Sequence, residues 1–136
     1  MLHERGQPEA GDSAIRRAFL FHPNDLSPFI RLAKKLRQED AACKPASTLY
    51  ELMLTRAPRR GDVRSGYIAC AVWLGDYAGA RKAAEDGIES GIDVDVLRTA
   101  VVIIDSATTH HAPAGSVRLP HLKGGWFDVG QRDSLP

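Results

Sequence analysis

The side chains of this chain best suited to chemistry gather in three places. Asp105, His110, His111 and His121 fall close together towards the carboxyl end. Histidines and carboxylates bind zinc when three or four converge at fixed distances. Here two of the histidines are adjacent and therefore point in different directions, and no HExxH spacing sets a pair on one helical face. Histidines near the carboxyl end of a helix are favourable with its dipole, which accounts for His110 and His111 without a metal. Cys43 and Cys70 form neither a CxxC nor a zinc spacing, and both sit among apolar neighbours; buried, reduced thiols are expected. Arg56, Arg59, Arg60 and Arg64 crowd the stretch RAPRRGDVR. Guanidinium groups near a helix start are able to hold a phosphate or an acidic partner, but a solvated loop between helices is the simpler account and is the one expected. Glu39-Asp40 and Glu85-Asp86 suit exposed helix ends. No GxSxG, P-loop or strand-borne GxGxxG occurs. The expectation is a protein with no catalytic residue, no metal and no cofactor.

Composition narrows the class further. Of 136 residues, 43% are hydrophobic and 26% charged, ordinary for a soluble globular chain. Eighteen basic residues against seventeen acidic leave a formal charge of +1. That balance argues against a dedicated nucleic-acid or anionic-membrane surface. The amino-terminal MLHERGQPEAGD has no apolar stretch of the kind a secretory leader needs. The longest apolar runs, such as Ile68 to Leu74, fall far short of the ~20 residues of a membrane span. A cytoplasmic chain is expected, binding neither membrane nor nucleic acid.

The elements that must position any site are helical. Apolar residues recur at three- and four-residue spacing almost throughout, and no stretch alternates as a strand would. Helices are expected over about 13–22, 27–39, 44–57, 62–75, 77–90 and 93–109. Pro23 and Pro58 stop two of them, Ser27 and Asp62 are candidate caps, and Gly75 and Gly91 close two more. Phe29, Ile30, Leu32, Ala33 and Leu36 form one apolar stripe; Tyr67, Ile68, Ala71, Val72 and Leu74 form another. Residues 1–112 make the helical domain. Beyond it, 113–136 is rich in proline and glycine yet carries Leu119, Leu122, Trp126 and Phe127, too apolar for a plain linker.

Two of these helices echo each other. Ala46 matches Ala80 at a separation of 34 residues, and Tyr50, Met53 and Pro58 match Ala84, Gly87 and Ile92. Ala46, Tyr50, Met53 and Pro58, with the corner Gly75-Asp76-Tyr77 leading to Ala80, resemble the tetratricopeptide repeat over about residues 25–92. The match departs from the family where Arg64 and Arg98 replace bulky apolar residues and where Lys34, Ile68 and Val102 replace a small one. The resemblance implies an all-α fold: antiparallel helical hairpins stacked as a short right-handed superhelix, followed by an irregular tail.

It also implies a protein-binding function. In that family the first helix of each repeat lines a concave groove. Here those positions are Arg31, Lys35, Gln38 and Glu39, then Ser65, Ala69, Val72 and Trp73, then Thr99, Ile103 and Ser106. A basic rim and an apolar floor suit a peptide or helix with an acidic end, with Trp73 as anchor. An adaptor or chaperone-like module follows, or alternatively a non-catalytic accessory subunit of a larger complex. Trp126 and Phe127 are expected to fold back over the last helix, or to dock on a second copy and make a homodimer.

Overall fold

A computed structural model describes residues 26–38, 42–117 and 119. Within them five helices follow one another: α1 Ser27–Gln38, α2 Cys43–Arg56, α3 Gly61–Leu74, α4 Tyr77–Glu89 and α5 Val94–Thr109. No strand occurs among the described residues. The helix expected over 13–22, together with Glu39, Trp126 and Phe127, lies outside them. Each helix packs on the one before and the one after, and α1 also reaches α3. Helices of 12 to 16 residues are marginal alone in water, so their stability comes from these shared apolar faces. The chain is all-α, as the periodicity requires.

α3 is the central member. Val63 through Val72 are buried except for half-buried Tyr67, so this helix is enclosed on nearly every side, as its apolar composition permits. Its contact with α2 turns on Tyr50, which lies against the α3 backbone at Gly66. A Cβ at Gly66 would fall 2.6 Å from Tyr50 Oη and nearer still to the ring. Burial pushes the Tyr50 phenol up to about 12, with the Arg37 guanidinium acting in the opposite direction. Arg37 stands over the ring at 5.9 Å from its centroid. Antiparallel packing in this register brings Cys43, at the start of α2, to Cys70, near the end of α3. Both thiols are free and buried. The hydrogen bond with Cys43, and then burial, push the Cys70 thiol up. A thiol held protonated in this way is a poor nucleophile.

Arg64 is buried and joins three parts of the chain. Its Nη1 donates to Ala83 O at 2.9 Å on α4, and its Nη2 donates to Pro58 O at 2.8 Å in the α2–α3 turn. Burial lowers its pKa, and the nearby Asp86 carboxylate acts the other way. Space for the arginine comes from Gly87, where a Cβ would meet Arg64 Cδ at 2.7 Å and Leu97 Cδ1 at 2.5 Å.

Three expectations need correcting. Leu32 is 43% exposed, because the buried line of α1 runs through Phe29, Ala33 and Arg37, and Leu32 lies about 100° round the helix from its centre. Leu74 is also exposed, at the last residue of α3. Asp62 is not the cap residue of α3 but sits in its first turn, accepting a hydrogen bond from Val63 N at 2.8 Å.

The Tyr50–Gly66 contact yields a stability test. Gly66→Ala should destabilise the chain by about 1–3 kcal/mol in urea unfolding, through overpacking against a ring that cannot retreat. Arg31→Ala, on the exposed face of α1, should change stability by less than about 0.5 kcal/mol.

Candidate functional site

The corner between α3 and α4 is fixed by local chemistry. Gly75 takes a left-handed conformation, φ 86°, that ends α3. Asp76 caps α4, accepting a hydrogen bond from Gly79 N at 3.0 Å. The segment after α5 then returns across this corner. Tyr77 Oη donates to Ala112 O at 2.9 Å, Gly115 N donates to Trp73 O at 2.7 Å, and Ala114 lies beside Gly75. Leu119 is buried in the main apolar cluster. Ala112, Ala114 and Gly115 therefore bind the chain's own corner.

This arrangement divides the residues expected to line one groove. Ser65, Ala69 and Val72 are enclosed, because α3 is covered on nearly all sides, and so they present no wall to a partner. Trp73 is half-buried beside the returning segment. Arg31 and Lys35 are exposed and Gln38 half-buried on the first described helix; Thr99 and Ser106 are exposed and Ile103 half-buried on the last.

The arginine-rich loop forms no common anion site either. Arg60 pairs with Asp62 at 2.8 Å, and Arg64 is turned inward onto carbonyls. The hydrogen bond from Arg60 holds the Asp62 carboxyl below its ordinary range. Around the histidines, Asp105 is engaged by Arg81 at 2.7 Å, and the hydrogen bond from Arg81 holds its carboxyl low. Arg81 also pairs with Glu85. His110 Nδ1 lies 2.8 Å from Ser106 O. Among the described residues no three His, Cys, Asp or Glu side chains converge as a metal site would require.

What the packing does create is a groove along the outer side of α4 and α5, with a volume of about 670 Å³. Ile88, Val101 and Val102 supply apolar surface. Glu85, Asp86 and Glu89 line it from α4, with Lys82 and Arg98 among them. Lys82 is held by Asp86 at 3.1 Å. Val102 is 68% exposed, the most open large apolar side chain among the described residues. A second groove of about 460 Å³ runs where α5 meets the returning segment, lined by Val102, Ile103, Ser106, Ala107, His110, Ala112 and Val117. Thus Ile103 and Ser106 do line a groove, but with the carboxyl-terminal segment rather than with Trp73. The α4–α5 groove escaped the sequence reading. Its signal was Val101-Val102 on a final helix whose inward face was already filled by Leu97, Ala100 and Ile104.

The described helices include none long and apolar enough to cross a membrane. Compared with known proteins, the chain matches no family model, no curated protein and no solved structure.

The returning segment gives a second test. Tyr77→Phe removes the donor to Ala112 O and should cost about 0.5–1.5 kcal/mol. Amide exchange at Gly115 should quicken in the same variant, measured by hydrogen–deuterium exchange, while exchange in the middle of α3 stays slow.

Proposed function

We propose that this chain is a non-catalytic protein-interaction module of the cytoplasm, a tetratricopeptide-like adaptor or chaperone that takes an amphipathic helix of a partner into the α4–α5 groove. The observation carrying this reading is the groove itself: an apolar floor open on the outer side of the last described helix, between carboxylates and two cations. The floor would supply the affinity, and the charged rim would choose partner and orientation. The repeat resemblance supports the array, since Ala46, Tyr50 and Met53 and their counterparts Ala80, Ala84 and Gly87 are all enclosed. Two reduced, buried thiols suit a reducing compartment. The groove replaces the Trp73 wall as the binding surface, because Ser65 and Ala69 are covered. The accessory-subunit reading draws on Leu32 and Leu74, apolar side chains exposed away from the groove, which a larger assembly would cover.

A photo-crosslinking residue placed at Val102 in the native cell tests the adaptor reading. The expected product is a cross-link to a partner segment with apolar residues at helical spacing. A synthetic copy of that segment should bind at least about tenfold more weakly to Val102→Glu, while the variant keeps its thermal stability, because Val102 is exposed. Binding that survives Val102→Glu but is lost on Trp73→Ala would return the site to the α3 wall. A partner lost only on removal of residues 113–136 would favour the accessory subunit.

A further inference from the structure

The two ends of the described helix series are unlike in charge, and each carries an exposed apolar side chain. α1 carries Arg31, Lys34, Lys35 and Arg37 and no acidic residue. Arg31, Lys34 and Lys35 are exposed around the 43% exposed Leu32, and none of the three makes an ion pair with a described residue. At the other end the α4–α5 groove presents Val102 with Glu85, Asp86 and Glu89 on the α4 side, and Lys82 and Arg98 also line it; Glu85 is paired with Arg81 and Asp86 with Lys82. Asp95 stands exposed in the first turn of α5. Glu89 makes no ion pair with a described residue. A helix bearing one apolar knob between cations thus has its complement, an apolar floor where Glu89 is left without an ion pair among the described residues, at the other end of the described series.

We infer that α1 of a second copy docks in the α4–α5 groove, so that the protein associates head to tail. The inference rests on the groove being a helix-binding site and names its occupant. Leu32 of the incoming copy meets Ile88, Val101 and Val102, while its Arg31 and Lys35, one turn apart, meet Glu85 and Glu89. The groove lies where the next helix of a stack would sit, so the added copy continues the neighbour-on-neighbour packing of α1 to α5. The two surfaces differ, so the contact is heterologous: it closes as a ring or continues as a chain of copies. One apolar knob with an exposed charged rim makes the association weak and sensitive to salt.

Sedimentation equilibrium of the full chain and two charge-reversed variants tests this. One variant carries Arg31→Glu and Lys35→Glu; the other carries Glu85→Lys and Glu89→Lys. All four positions are exposed, and circular dichroism checks that both variants keep the fold. The wild type should gain mass with concentration at low salt and lose that gain at high salt. Each variant alone should associate about tenfold or more weakly, and an equimolar mixture should associate again, because the native α1 of one meets the native groove of the other. A wild type that stays monomeric at low salt overturns the inference. So does an α1 variant that associates undiminished, which would mark a symmetric contact through α5. If the wild type is monomeric but Val102 still cross-links to a helix of another protein, the second-copy occupant fails and the groove reading stands. If neither occurs, both fail.

Discussion

A side chain as large as Tyr50 can be enclosed between two closely packed helices only where the facing helix gives up its own, and Gly66 is where α3 does so. The contact sets both the spacing and the register of α2 on α3. From that register Cys43 comes opposite Cys70, and α1 buries Phe29, Ala33 and Arg37 where it packs on α2 and reaches α3. Interiors pack at crystal-like density and transmit small displacements, so a shift at Gly66 would reach every later interface. The alternative of a smaller residue at position 50 would leave a void that the rigid helices could fill only in part.

Arg64 carries the register onward. A buried guanidinium is costly unless its donors are used, and here two of them go to Pro58 O and Ala83 O. Carbonyls rather than a carboxylate receive them, so burial lowers its pKa, with the nearby Asp86 carboxylate acting the other way. In return a single side chain ties the α2–α3 turn to the middle of α4, and through Gly87 it abuts the contact of α4 with Leu97 of α5. The position of the α4–α5 groove is therefore set from two helices away. A tetratricopeptide-like first helix would place a bulky apolar residue at this point, and arginine does the same filling with its stem while adding two directional bonds.

Local chemistry was legible in the sequence, and the facing of surfaces was not. The helix ends at Gly75 and the corner at Asp76 follow from glycine's freedom and a short acidic cap, which depend on a few neighbouring residues. The burial of the two cysteines follows from the apolar residues they stand among. Leu32, Ser65 and Ala69 were misplaced because periodicity reports that a helix has an inside, but not how wide it is. α1 touches its neighbours along one narrow line, so Leu32 is left out. α3 is surrounded, so Ser65 and Ala69 are taken in. Gly66 and Gly87 gave no signal, since a glycine inside a helix reads as a weakness until the side chain that fills its space is known.

The near-neutral formal charge of +1 also concealed how the charges are arranged. A balance of acids and bases excludes a uniformly basic surface, but it is silent on segregation along the chain. Here basic residues dominate α1 and carboxylates gather on α4 and the start of α5, at opposite ends of a series in which each helix chiefly touches its neighbours. Exposed charges act over about 8–10 Å at physiological salt, so the two ends hardly cancel at the distance where a partner docks. Each end therefore presents its own sign. On the proposed reading, selection of a partner is governed by the charged side chains beside Val102 and the cations beside Leu32 rather than by the total charge of the molecule.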